Sequence, residues 1–305
     1  MKKIALVAAI AAISAPAFAQ SSVTLYGRIN TTVESQKVNN QSRKIVVANN
    51  ASRFGFKGVE DLGGGLKASF VLESGFDSSD GRAAASFWGR DSHVNLTGSF
   101  GTIRLGNWFP GSYFATSDYV GMHNHETGSS SDALYGGPFP QANKVGWFSP
   151  NIGGFTAEVA VQAGEGLGKR AFDLSANYDQ GSLHLGAGFT KQGDVKQYAG
   201  RALYEMGAFT IGGYLQREDV NGSSRTISRL SGMYALGASE FHVNFGATGK
   251  GGSAANKANQ FTLGYNYNLS KRTKVYGYYT AIDTKNTANK AGDFSSLAAG
   301  VRHNF

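Results

Sequence analysis

Cysteine is absent from the 305 residues, proline occurs five times, and acidic residues are outnumbered 21 to 29 by lysine and arginine. Without cysteine there are no disulfides, thiolate nucleophiles or cysteine-held metals to consider. Long apolar runs are missing too: the longest, Ile4 to Ile13, falls short of the roughly 18 residues a membrane-spanning helix needs. That absence excludes a helical span, yet not a membrane, because a closed β-barrel also pairs every backbone N–H and C=O internally. What is plentiful fits a sheet: 42 glycines, 20 phenylalanines and 14 tyrosines.

The opening MKKIALVAAIAAISAPAFA joins two lysines, a short apolar run and Ala17-Phe18-Ala19 as a small-x-small cleavage site. It reads as a secretory signal peptide over residues 1–19, leaving residues 20–305 as one exported domain that starts at Gln20. Loss of Lys2 and Lys3 leaves 27 basic and 21 acidic residues, a formal charge of +6.

From Val23 onward the chain alternates with period two. Val23, Leu25, Ile29 and Val33 share one face, with Thr24, Tyr26, Arg28, Asn30, Thr32 and Glu34 on the other, so one face meets oil and the other water. After a polar loop from Ser35 to Asn50, fifteen more such segments follow, up to FSSLAAGVRHNF. Short connections (EDLGGG, GSFG, NIGG, QG, MGA, GAS, SKR) alternate with longer ones centred near Asn40, Ser79, Thr127, Glu165, Asp194, Asn221, Ser253 and Asn286. Sorting by length in this way predicts an all-β fold, a 16-stranded antiparallel transmembrane β-barrel with both termini at the short-turn rim. A soluble sandwich or lectin gives no reason for the sorting.

One stretch breaks the pattern. Trp108 to Asn143 shows neither period, yet strand-like text flanks it, and a structureless segment of that length is usually kept for function. Its aromatics (Trp108, Phe109, Tyr113, Phe114, Tyr119, Tyr135, Phe139) predict that it packs on something.

The quoted text resembles a known family, the trimeric sixteen-stranded general porins of Gram-negative outer membranes in their betaproteobacterial branch. The matching motifs are SSVTLYG, SRFGFKGVEDLGGGLKASFVLE, GTIRLGN, WFSPNIGGF, YNLSKRTKVYGYY and the terminal GVRHNF. The resemblance implies that residues 108–143 fold into the lumen as a constriction loop and that three barrels associate through their walls. It also implies a Gram-negative outer-membrane location among lipid and lipopolysaccharide. The function it implies is passive diffusion of ions and small hydrophilic solutes, anions preferred, through a water-filled channel without cofactor or energy coupling. Family constriction arginines fall on Arg53 and Arg90. A third basic position, near Pro140 and Gln141, is missing, with Lys144 the nearest substitute, and Asn107 and Asn30 stand where relatives often carry arginine and aspartate.

Alternation itself puts Arg28, Arg53, Lys57 and Arg104 on the lumen side. Arginines grouped at a constriction favour an anion over a cation by about 1 to 3 kcal/mol, less at high salt. Strict alternation sends Arg90 to the lipid side with Val94 and Leu96, at a cost of roughly 2 to 4 kcal/mol. Either a bulge near Gly89 resets the phase, or Asp91 faces the lumen instead. Loop acids Asp118, Glu126 and Asp132 are placed to oppose the arginines and set a transverse field. The bland alternatives are wall-solvating arginines and a solvated acidic loop.

His123 and His125 in HNH lack further recognisable metal ligands. No serine, histidine and aspartate are marked as a triad, and His184 and His242 sit singly in alternating strands, so no enzyme is predicted. An exported barrel offers no stacked-aromatic basic groove for nucleic acid. Two other readings stay open: a plugged barrel acting as adhesin or structural anchor, and a channel specialised for one solute such as phosphate or an organic acid.

Overall fold

The computed structural model describes residues 22–122, 131–166, 168–285 and 292–305. Its extended segments are β1 Ser22–Val38, β2 Lys44–Asn49, β3 Arg53–Gly63, β4 Leu66–Gly75, β5 Asp91–Gly98, β6 Gly101–Asn107, β7 Lys144–Phe148, β8 Phe155–Gln162, β9 Ala171–Gln180, β10 Leu183–Gln192, β11 Val195–Met206, β12 Phe209–Val220, β13 Ser223–Leu236, β14 Ser239–Thr248, β15 Ala258–Asn268, β16 Thr273–Asp283 and β17 Phe294–Asn304. β2 and β3 lie end to end along β1: Thr31 to Gln36 pairs with β2, Ser22 to Arg28 with β3. They form one interrupted strand, so the sheet is a sixteen-stranded antiparallel barrel. β17 closes it on β1, from Arg28↔Asn304 to Val38↔Phe294, and no edge is left open.

The interruption falls at Ala51, whose φ of 54° breaks the strand. Side chains take over the ladder there: Ser52 Oγ accepts from the Asn30 N–H at 3.0 Å, and the Asn30 amide donates to Asn50 O at 3.0 Å. The expected polar loop from Ser35 to Asn50 is therefore mostly strand. A spanning strand needs only about 9 to 11 residues, so the upper part of the 17-residue β1 and its partner β2 extend beyond a bilayer's thickness.

Side chains are distributed inside out. Val23 is 67 % exposed on the outer surface, with Leu25, Ile29 and Val33 also exposed, whereas Asn30, Thr32 and Glu34 are buried. A barrel in lipid requires this arrangement, because apolar groups face the acyl chains and polar groups line the interior. Near the short-turn rim Phe209, Tyr234, Phe241 and Tyr265 run across adjacent strands with centroids 4.6, 6.4 and 5.2 Å apart, part of an aromatic girdle.

Two of the longer connections expected from the sequence are two-residue turns: Gly193-Asp194 and Asn221-Gly222. Asn221 and Gly222 have φ of 52° and 84°, the doubly positive geometry that lets strand twist continue through a tight hairpin. On the same rim Lys169 Nζ donates to Asp194 Oδ2 at 2.7 Å, holding that carboxyl below its ordinary value.

Candidate pore constriction

The irregular segment leaves the wall at Trp108, after β6, and returns at β7. Its ends are zipped together: the Trp108 N–H donates to Gln141 O at 3.2 Å, and Lys144 Nζ donates to Trp108 O at 3.3 Å and Pro140 O at 3.4 Å. Lys144 is 2 % exposed and lies 4.3 Å over the Trp108 ring. It is no substitute for the missing constriction cation, because its charge is spent tying the loop shut at its base.

Beyond that base the loop follows one side of the barrel. Trp108 Nε1 donates to Glu158 Oε1 on β8 at 2.8 Å, and the Gly111 N–H to Asp173 Oδ2 on β9 at 2.6 Å. A helical turn, Gly111–Tyr113, continues into a π-turn, Phe114–Asp118. Ser112 Oγ lies 2.6 Å from Thr190 Oγ1 on β10, and Arg201 Nε on β11 donates to Ala115 O at 2.8 Å. Further along, Gln216 on β12 brackets the Gly136 backbone from both sides. Val120 and Leu134 bury themselves with Tyr214, Ile227 and Ala258. The wall makes room with glycine: a Cβ at Gly186 would strike Ala115 O, and one at Gly188 would lie 2.7 Å from Ser112 O.

With the loop held against β8 to β15, the opposite wall of β17, β1, β3, β4 and β5 faces the remaining lumen. Arg53 and Arg90 meet the loop there across a cavity of about 480 Å³, which Glu73, Asp91 and Asp118 also line. Glu73 Oε1 accepts from Arg90 Nε at 2.6 Å and lies 3.7 Å from Arg53 Nε. The loop's face is aromatic: Phe109, Tyr113, Phe114, Tyr135 and Phe139 contact one another at centroid distances of 5.2 to 6.2 Å. Arg90 bridges the gap, its guanidinium 5.0 Å over the Phe109 ring.

Arg90 faces the lumen together with Asp91: the Arg90 N–H donates to Glu73 O at 3.3 Å while Asp91 is the residue paired with Glu73, so two residues oppose one and a bulge resets the phase next to Gly89. β5 begins at Asp91, and within it His93 and Asn95 continue inward and Val94 outward. Arg104 lines an adjoining cavity of about 640 Å³, donating to Asn95 Oδ1 at 2.8 Å with Phe148 4.2 Å beneath it. Arg28 lies directly across the ladder from Arg53 and donates to Asn304 Oδ1 at 3.2 Å. Lys57 sits lower on the same face, 5.2 Å over Tyr26. Neither lines the cavity. Glu126, His123, His125 and the side chain of Asp132 lie outside the described residues.

Some contributors went unnamed in the sequence reading. Glu73 shared the polar face of LKASFVLE with Lys67 and Ser69, so alternation placed it inward, and Arg302 stood opposite in phase to Val301 and His303. Arg302 pairs in register with Asn30 and with Lys274, adding to the basic side. Asn30 is a structural residue, held by Asn50 and by the Tyr276 hydroxyl at 2.6 Å. Arg201, Arg225 and Arg229 belong to the wall behind the loop, Arg225 being paired with Glu218.

A closed sixteen-stranded barrel with polar interior, apolar exterior and a loop folded across its lumen defines an outer-membrane diffusion channel as a class. The family model described as Gram-negative porin matches residues 5–287. The chain is 31% identical to outer membrane porin protein 32 of Delftia acidovorans and 28% identical to the major outer membrane protein P.IB of Neisseria lactamica, each alignment covering all of both chains. Among solved structures, the anion-selective porin from Comamonas acidovorans superposes with a TM-score of 0.77 at 26% identity, over 94% of this chain and all of that one. The chain belongs to the Gram-negative porin family. It is an outer-membrane channel protein, not an enzyme.

Proposed function

We propose that this porin lets ions and small hydrophilic solutes diffuse passively and prefers anions, with Arg53 and Arg90 at the narrow point. The observation that carries the reading is the asymmetry of the lumen. Arg302, Arg28, Arg53, Arg90 and Arg104 occupy adjoining strands or their ends on one side, while the loop opposite presents aromatic rings and, among the described residues, the single carboxylate Asp118. Glu73 and Asp91 oppose the arginines from within the same wall. A charge 2.6 Å from its partner forms a short dipole whose field decays quickly, so the surplus guanidinium charge of the belt governs an ion farther out. The solved relative from Comamonas acidovorans is described as anion-selective, which supports the same sign here. Export through a leader over residues 1–19 and trimeric assembly through the walls, in lipid and lipopolysaccharide, complete the proposal on the family resemblance.

The deciding measurement is the zero-current potential of purified protein in a planar bilayer across a tenfold KCl gradient, repeated with Arg53→Ala. The expected result is anion preference that moves toward zero in the variant. Cation preference would mean that Glu73, Asp91 and Asp118 dominate, and the anion reading would fail. Absence of conductance would leave the plugged barrel as the reading.

A further inference from the structure

We propose that the constriction is a transit site for aromatic carboxylates, binding a planar ring on the loop and its carboxylate on the wall. The proposal rests on the anion-preferring reading above and names the class of anion the site favours.

Phe114 and Phe139 are 45% and 39% exposed, inside a barrel whose other lumen groups are mostly hydroxyls, amides and charges. Anchoring does not require them, since Trp108, Val120, Leu134 and the backbone bonds to β9–β12 hold the loop. Rings left facing water in a polar passage mark a place where an apolar group is received. Each meets Phe109 edge-on, Phe114 at 71° and Phe139 at 73°, a geometry that accepts a further ring edge-to-face or offset.

Across the same cavity stand Arg53 and Arg90. Arg90 already lies over Phe109, so guanidinium and ring are close enough for one small molecule to touch both. The cavity of about 480 Å³ falls within the roughly 300–1,000 Å³ range of small-molecule sites. A carboxylate entering it competes with Glu73 for the two arginines. That competition keeps residence short, as a passage requires: binding strong enough to admit, weak enough to release. An aliphatic anion of similar charge gains only the arginine end. An aromatic cation gains the rings and Asp118 but meets both guanidiniums.

The test is block of the KCl current through the wild-type channel by benzoate, acetate, cyclohexanecarboxylate and benzylammonium, followed by benzoate on Phe114→Leu/Phe139→Leu. Benzoate is expected to half-block at a concentration three- to tenfold below acetate and cyclohexanecarboxylate, with benzylammonium ineffective. The double variant is expected to bring benzoate level with acetate. Equal potency of benzoate and acetate, or of benzoate and cyclohexanecarboxylate, would overturn the proposal, as would block by benzylammonium at benzoate's concentration. These comparisons use wild-type protein and decide the matter even where the variant fails to insert. The zero-current potential in KCl alone separates the two levels. Anion preference without benzoate selectivity sinks only this inference, whereas cation preference sinks the reading beneath it.

Discussion

Glu73 accepts from one constriction arginine and lies beside the other, so with Asp91 on the same wall it offsets part of the charge they present to the lumen. Glu73→Gln keeps the shape and removes the countercharge. The anion-to-cation permeability ratio is expected to rise about two- to fivefold, equivalent to roughly 0.4 to 1 kcal/mol, read from the zero-current potential. The gain should shrink as ionic strength rises and the Debye length falls below about 10 Å. Arg53 and Arg104 were legible because strict alternation needs only the strand's phase. Arg90 broke strict alternation through the bulge that the sequence offered as one of two readings, because Arg90 and Asp91 both oppose Glu73. Lys144 failed for a different reason. Sequence shows that a cation lies near the loop, whereas its role depends on whether carbonyl oxygens or water surround its ammonium, and here the carbonyls of Trp108 and Pro140 do.

The loop behaves as a strap fastened along one wall, and its fastenings can be loosened one at a time. Lys144→Met should remove the donors to both loop ends; hydrogen bonds from a charged donor contribute roughly 1.5 to 3 kcal/mol each when buried. Single-channel recordings are expected to show added open-state noise, and hydrogen-exchange measurements faster amide exchange across residues 108–122. Gly186→Val tests the other face, because any Cβ there collides with Ala115 O. The loop is expected to shift into the lumen and lower unit conductance, while a wild-type value would show that the wall yields instead. Both loop boundaries were readable from the loss of period at Trp108 and its return at Lys144. The anchoring partners on β9 to β12 were not, because they depend on which polar lumen positions a non-periodic chain passes. Among the turns, Asn221-Gly222 carried an explicit hairpin signal that length-sorting of the connections concealed.

At the scale of the whole barrel, stability depends on the solvent that each face meets. Leu215 is 64% exposed at the middle of β12 on the outer surface, and Leu215→Arg should destabilise the folded barrel by about 2 to 4 kcal/mol, measured by denaturant titration in lipid vesicles. The barrel itself was the most legible level, since sixteen alternating segments constrain the fold jointly although each signal is weak. The exception was the β2–β3 interruption, where hydrogen bonds from Asn30 to Ser52 and Asn50 replace a ladder that sequence periodicity cannot describe. The barrel seam joins β1 to β17, while the strap is fastened to β8 through β15 on the far side. Among the described residues, no bond that holds the strap spans the seam. The bonds that close the cylinder and the bonds that seat the strap are therefore separate sets, and a substitution in one leaves the partners of the other in place.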